Sequence, residues 1–480
     1  MTNTDSGAGK PNNGTVPRED IHIVVLAAGK GTRMKSEVPK VLHRINGFSL
    51  IERVLQTASQ LQPSSRTLVV GHGADQVRAA LAGHTGNLQF VVQDKQLGTG
   101  HALLQAAPLL RGKRGTLVLL SGDVPMLTPV TLHSLIATHA EASAAATVIT
   151  AKIPRPFGYG RIVRTAAGRL SKIVEEKDAS TAQRAITEIN SGIYALDLSV
   201  VFEALEQIGT ANKQGEYYLP DLIAIFRKQK RAVATWTVER AEEIRGINSR
   251  AELAEVTTMV RQQKNEELMA AGVTLIDPAT TYVDSSVVVG PDTVLHPCVI
   301  LEGSTRIGAA CEIHAGVRIV NSTIGDRVLV RNHTVIADSN VEPGAQLGPF
   351  AHIRPGSSVG EDAHIGNFVE LKKTRMGKGA KANHLAYLGD ATIGSKTNVG
   401  AGTITCNYDG EKKHQTMIGD NVFVGSNSTL VAPIAIGDGS YIAAGSAITD
   451  DVQPGALGIG RARQENKDGW VAKRAAGKKA

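Results

Sequence analysis

Through the second half of the chain, aliphatic residues return every six positions: Ile307, Ile313 and Ile319; Leu347, Ile353, Val359, Ile365 and Leu371; Ile418, Val424, Leu430, Ile436, Ile442 and Ile448. Gly often follows, as in Ile307-Gly308, Val359-Gly360, Ile365-Gly366, Ile393-Gly394 and Ile436-Gly437. A helix repeats at about 3.6 residues and a strand at about 2, so neither explains six. A hexapeptide β-helix does. There each hexad forms one flat face of a triangular coil, its aliphatic residue points inward and small residues turn the corners. Exposed flat faces also favour oligomers. The frame slips by one after Ile319 and weakens between Leu371 and Ile393, and from Thr405 to Ile418 it is broken by CNYDGEKKHQTM. Insertions cannot enter the coil, so they are expected to project as loops, where function concentrates.

The first half reads differently. From Ile21 to about Arg240 the apolar runs IVVLAA, TLVVGH, LQFVVQ, TLVLLSGD, AAATVITAKI and SGIYAL alternate with longer amphipathic stretches. This is the βαβ pattern of a doubly wound sheet. Such a sheet binds ligands beyond the carboxyl ends of its strands, where LAAGKGTR, VVGH, VVQDKQLGTG and LLSGD terminate. In LAAGKGTRMKSEVPK, Leu26 to Lys40, Gly29 and Gly31 permit positive φ and let backbone N–H groups approach an anion. Lys30, Arg33 and Lys40 add charge, the Arg as a fork and each Lys as a point charge. The segment is a phosphate-binding loop, yet it lacks both the Gly-Lys-Ser/Thr of a Walker loop and the third Gly of GxGxxG, where Met34 stands. Asp123, at the end of the apolar run Leu117 to Leu120, suits Mg²⁺ shared with substrate phosphates. It suits equally a cap on the turn before Val124-Pro125.

A chain of 480 residues exceeds one compact core. Ser249-Arg250-Ala251-Glu252 has capping-box spacing, and Leu253, Val256, Val260, Leu268 and Met269 follow before Gly272, which predicts one long connecting helix. The expected organisation is a tail over 1–20, a nucleotidyltransferase domain over 21–248, a linker helix over 249–272, a β-helix over 273–458 and a C-terminal tail over 459–480. Composition predicts that the first twenty residues and the last dozen or so are disordered. The formal charge of +7 is spread along the chain and aromatics make up 4%, which leaves no base-stacking platform and argues against nucleic acid as the principal ligand. No apolar leader or membrane-length stretch is visible, so no membrane insertion is expected. Cys298, Cys311 and Cys406 lack CxxC spacing, which suggests neither a disulfide framework nor a zinc site and fits a reducing cytoplasm.

Eight motifs in order then carry a resemblance: LAAGKGTRM; Pro39-Lys40; Gln93 with Gln96-Leu97-Gly98-Thr99-Gly100-His101; Gly122-Asp123-Val124-Pro125; Tyr159-Gly160-Arg161; Ile173-Val174-Glu175; Glu188-Ile189-Asn190-Ser191-Gly192; and Gly246-Ile247-Asn248. The series resembles the bacterial N-acetylglucosamine-1-phosphate uridyltransferases. The resemblance implies that Leu26, Ala27, Ala28, Gly29, Gln93, Gly98 and Thr99 hold the uridine nucleotide of UTP, and Arg33 and Lys40 its phosphates. It implies that Asp123 and Asn248 bind Mg²⁺, and that Gly160, Glu175 and Asn190 bind N-acetylglucosamine 1-phosphate. Ser121 stands where many such proteins carry Tyr.

The second half contains Ile353-Arg354-Pro355-Gly356, Val369-Glu370-Leu371-Lys372-Lys373, Asn383 to Asp390 (NHLAYLGD) and Asn398 to Gly410 (NVGAGTITCNYDG). These are similar to the glucosamine-1-phosphate acetyltransferases. By itself His384 reads as a structural histidine or as a general base working near its ordinary pKa. Under the resemblance it is the base for attack of the sugar amine on acetyl-CoA, Arg354, Lys372, Tyr387 and Asn398 grip glucosamine 1-phosphate, and Ala401, Asn407, Tyr408, Ser426, Ala444 and Arg461 contact acetyl-CoA. The resemblance further implies a left-handed coil, a homotrimer, a cytoplasmic location and a product, UDP-N-acetylglucosamine, that supplies peptidoglycan and lipopolysaccharide synthesis. Two other readings remain: a single-activity pyrophosphorylase whose β-helix only regulates or oligomerises, and a non-enzymatic binding scaffold.

Overall fold

The computed structural model describes residues 20–83 and 88–476, so the tail expected over 1–20 lies, but for Asp20, outside the described residues. The chain divides into two compact units between Thr257 and Thr258.

In the first unit the sheet runs Val233–Thr237, Ala146–Lys152, Glu188–Asp197, Thr116–Ser121, Ile21–Ala27, Ser65–Val70, Leu88–Val92. Its central strands are buried on both sides, while the edge strands Val233–Thr237 and Leu88–Val92 are partly exposed. Val24, Leu117 and Leu119 pack into one core with Leu103 and Phe226. Ile23, Val25, Val118 and Leu120 pack into the other with Val54, Leu55 and Leu135. Successive residues face opposite sides of a strand, so a near-continuous apolar run serves both cores. The sheet departs from the all-parallel expectation at Glu188–Asp197, which lies antiparallel to both neighbours. Between Lys152 and Glu188 the chain forms a β-hairpin, Arg161–Arg164 and Leu170–Val174, closed by a tight turn in which Gly168 N–H donates to Thr165 O, and then only a single helical turn, Thr181–Arg184. Without a helical crossover, the chain returns in the opposite sense.

The helix Arg250–Ala270 begins with the expected reciprocal cap: Glu252 N–H donates to Ser249 Oγ at 3.2 Å and Ser249 N–H to Glu252 Oε2 at 3.1 Å.

The second unit is a parallel β-helix of three sheets, in which each short strand pairs with the strand one rung on. Every expected hexad position is buried, from Ile307 at 3% exposure to Ile448 at 6%. Between Leu371 and Ile393 the coil does not falter. Met376, Ala382 and Leu388 continue the buried column, so this stretch is regular coil and not a projecting loop. Two corners are one residue short, since Leu371 is followed inward by Met376 and Leu388 by Ile393, and Ala382 is too small to stand out in an aliphatic period. The insertion after Thr405 does project: Ala391 pairs with Thr416 across it, and Tyr408 bridges Lys413 within it. In the C-terminal tail, expected to lack structure, Trp470–Ala476 is helical. No helix among the described residues is long and apolar enough to cross a membrane.

Candidate active sites

In the first unit a cavity of about 350 Å³ opens at the carboxyl ends of the parallel strands. Nine expected residues line it: Leu26, Ala27, Ala28, Gly29, Lys40, Gln93, Gly98, Thr99 and Asp123. Gln96, Ser121 and Glu216 line it as well without having been assigned a role. Gln96 Nε2 donates to Ala28 O at 2.5 Å, and Tyr217 N–H donates to Leu97 O at 2.8 Å, which brings Glu216 to the rim. The loop ending VVGH does not line the cavity but packs closely on Ala28, since a Cβ on Gly71 would meet Ala28 O at 2.8 Å. Arg33 is exposed on the turn Thr32–Met34 and does not line the cavity.

The phosphate loop works differently from expectation at one glycine. Gly31 has φ +59°, and a Cβ there would come within 2.7 Å of Lys40 Cβ, whereas Gly29 lies outside the left-handed region with nothing within 4 Å of its missing Cβ. Gly31 therefore lets Lys40 close over the loop, and Gly29 leaves the backbone open towards the cavity. Lys40 Nζ donates to Asp123 Oδ2 and, at 3.1 Å, to Asn248 Oδ1. Two oxygens from distant segments thus converge on one cation.

Gly160, Glu175 and Asn190 form a second cluster. A Cβ on Gly160 would lie 3.1 Å from Glu175 Oε1 and 3.5 Å from Asn190 Cβ, and Asn190 Oδ1 accepts from Gly192 N–H and Tyr194 OH, each at 3.0 Å. Burial, together with Asp178 and Asp221, pushes the Glu175 carboxyl above its ordinary value.

In the second unit His384 ends a strand in register with His364–Asn367, and its Nδ1 lies 2.8 Å from Asn367 Oδ1. From it runs a column of backbone bonds along one corner. Gly402 N–H donates to His384 O at 3.4 Å, Asn427 N–H to Ala401 O at 2.7 Å and Gly445 N–H to Ser426 O at 2.8 Å. The expected acetyl-CoA residues Ala401, Ser426 and Ala444 are thus stacked on successive rungs, and Arg461 reaches the Gly445 corner. On the adjoining sheet Arg354 pairs with Glu370 at 2.7 Å and Lys372 with Asp390 at 2.9 Å, while Asn407 Nδ2 donates to the same Asp390 carboxylate. The Asp390 bond holds the Lys372 ammonium above its usual value. Tyr387 stands in register with Glu370. Asn398 lies on a different sheet, and no side-chain hydrogen bond joins it to Arg354, Lys372 or Tyr387. Tyr408 is exposed on the inserted loop.

Glu370, Asp390 and Asn367 had no assigned roles. The signal for them is the rung length, which puts each one coil turn from a residue already singled out.

A nucleotide-sized pocket at a parallel sheet edge, followed by a hexapeptide coil, defines a nucleotidyltransferase joined to an acyltransferase. Residues 23–189 match the MobA-like NTP transferase domain, 338–373 the bacterial transferase hexapeptide and 415–450 the hexapeptide repeat of succinyl-transferase. The bifunctional protein GlmU of Koribacter versatilis is 50% identical over 95% of this chain and 98% of its own length. Those of Pelobacter propionicus and Listeria monocytogenes are each 48% identical over 94% of this chain and 98% of theirs. The chain belongs to the bifunctional GlmU family. Its second unit is the left-handed hexapeptide coil. It is a two-activity transferase, an acetyltransferase acting on glucosamine 1-phosphate and a uridyltransferase yielding UDP-N-acetylglucosamine.

Proposed function

We propose that the two activities are carried by the residues gathered above, uridylyl transfer over 21–248 and acetyl transfer over 273–458, with 249–272 as linker. The convergence of Asp123, Asn248 and Lys40 is the observation that most supports the first assignment. Leu26, Ala27, Ala28, Gly29, Gln93, Gly98 and Thr99 hold the uridine end of UTP, while Lys40 and the exposed Arg33, which lies outside the cavity lining, meet its phosphates. Gly160, Glu175 and Asn190 seat the acetylated sugar. Its phosphate oxygen attacks the α-phosphorus of UTP, a P–O bond forms and pyrophosphate leaves, so positioning and charge carry the rate.

Asp123 and Asn248 offer oxygen donors only, a set suited to Mg²⁺, and the Lys40 ammonium already rests between them as a cation would. Bound there, Mg²⁺ supplies charge neutralisation to the phosphates.

In the second unit Arg354, Lys372, Tyr387 and Asn398 take glucosamine 1-phosphate, and Ala401, Asn407, Tyr408, Ser426, Ala444 and Arg461 take acetyl-CoA. With Nδ1–H of His384 donated to Asn367 Oδ1, the Nε2 lone pair is free to accept a proton from the sugar amine. The N–C bond forms as the C–S bond breaks, and the thiol of CoA leaves. We further infer a cytoplasmic homotrimer that feeds peptidoglycan and lipopolysaccharide synthesis.

Two full-length variants test the division. Asp123→Asn is expected to abolish pyrophosphate release from UTP while thiol release from acetyl-CoA continues, and His384→Ala the reverse. Loss of both activities in either properly folded variant would sink the assignment.

A further inference from the structure

Far from the residues assigned above in sequence, the second unit carries an unassigned group of ligand-type side chains. Val294–Leu295 and Glu312–Ile313 are in-register neighbours, so His296 and His314, each following its strand, fall on adjacent rungs of one outward face. Glu312 faces the same way by strand alternation. His314 Nε2 lies 3.0 Å and His296 Nε2 3.4 Å from the same oxygen, Glu312 Oε1, and the two rings have centroids 4.8 Å apart. One ligand atom from each residue lies within 4.8 Å of the others.

With a neutral His314 in the tautomer that Asn332 favours, the donors and acceptors do not balance without a cation. Asn332 donates its Nδ2 to Ala315 O at 3.4 Å, which turns its Oδ1 towards His314 Nδ1, also at 3.4 Å. That contact places the ring proton on Nδ1. The Nε2 lone pair of a neutral His314 then faces a carboxylate oxygen, which also offers only lone pairs. His296 Nε2 is sealed from solvent and makes no hydrogen bond. Three electron-pair donors therefore point at one small volume.

We propose that His296, Glu312 and His314 form a binding site for a borderline divalent transition ion, with Zn²⁺ as the type, which ties two rungs of the β-helix together. Two imidazole nitrogens and one carboxylate oxygen suit such an ion, with water in a fourth position, whereas Mg²⁺ prefers an all-oxygen set. The site is independent of both active centres: none of its residues lines the nucleotide cavity or belongs to the acetyl-transfer cluster.

The test is Zn²⁺ titration of the full-length protein against a chromophoric chelator, with Mg²⁺ in excess to occupy oxygen sites. Wild type is expected to bind one more Zn²⁺ per chain than the double variant His296→Ala/His314→Ala, with retained acetyl transfer certifying the variant's fold. Glu312→Gln, nearly isosteric at a half-exposed position, is expected to weaken that Zn²⁺ at least about tenfold, since even outer-shell partners have effects of this size. Binding should also weaken as pH falls and protons compete for the imidazoles. Equal stoichiometry and affinity in wild type, the double variant and Glu312→Gln would overturn the proposal and leave a cluster that takes protons only.

Discussion

Asn367 Oδ1 and His384 Nδ1 stand 2.8 Å apart on adjacent rungs, so the ring of the proposed base is oriented by the turn of coil before it. Removing the orienting group should cost less than removing the base. Asn367→Ala is expected to lower kcat for acetyl transfer about tenfold with KM for glucosamine 1-phosphate unchanged. His384→Ala should lower kcat by about 10²–10⁴. Asn367→Asp, which keeps an acceptor, should retain more activity than Asn367→Ala; steady-state kinetics of the three variants decides.

Gly31 combines a left-handed backbone with a 2.7 Å approach to Lys40 Cβ. Gly31→Ala adds a left-handed penalty of about 1–2 kcal/mol and displaces Lys40. Uridylyl transfer should fall at least about tenfold in kcat/KM, with acetyl transfer unchanged in the same preparation.

Glu175 has its folded-state pKa raised by burial and by Asp178 and Asp221. A raised folded value means that its stability contribution is intact below the unfolded carboxyl pKa, near 4.3, and is lost as pH rises through the folded value. Glu175→Gln should therefore raise the melting temperature of the ligand-free protein at pH 7–8, and the gain should vanish towards pH 4. The same change should raise KM for N-acetylglucosamine 1-phosphate by about tenfold or more, since a charged hydrogen bond contributes about 1.5–3 kcal/mol. Thermal melts across pH, set beside kinetics, separate the two effects.

Asp390 behaves in the opposite sense. Desolvation acts to raise its carboxyl, but the bonds from Lys372 and Asn407 prevail and hold it below the ordinary range. Its stabilising contribution is present above the unfolded pKa, near 3.9, and disappears as pH falls through the folded value. Asp390→Asn should lower the melting temperature at pH 7, and the deficit should shrink progressively as pH falls below about 3.9, as read by circular dichroism.

Ile353 is fully buried in the single column that fills the coil. Ile353→Ala should cost about 2–5 kcal/mol of stability. Denaturant unfolding of the full-length variant measures it, with uridylyl transfer at ordinary temperature unaffected.

The hexads were readable because one buried position on each face of the narrow coil takes a large aliphatic residue, while the buried position two residues before it takes mostly smaller ones such as Ala351, Thr305 and Ser357. Where the period faded, Ala382 filled it with a methyl group and short corners shifted the frame, so a regular coil looked like an interruption. The nucleotide pocket was readable because glycine, cations and Asp123 cluster at strand ends. The reversed strand Glu188–Asp197 was not, since a hairpin and a crossover can follow similar apolar runs. The pairs Asn367 with His384 and Lys372 with Asp390 were hidden for a geometric reason: their partners sit one rung away, and rung length varies along this coil.

Glu252 Oε2 accepts from Asn248 N–H at 2.6 Å as well as from Ser249 N–H, while Asn248 Oδ1 accepts from Lys40. Arg250 in turn donates to Met34 O at 3.3 Å. Asn248, a proposed Mg²⁺ ligand, is therefore held by the opening turn of the helix that follows it. Cutting the gene at that helix would sever the proposed Mg²⁺ ligand from its support, so a self-sufficient N-terminal piece is expected to need the helix's beginning, past Glu252.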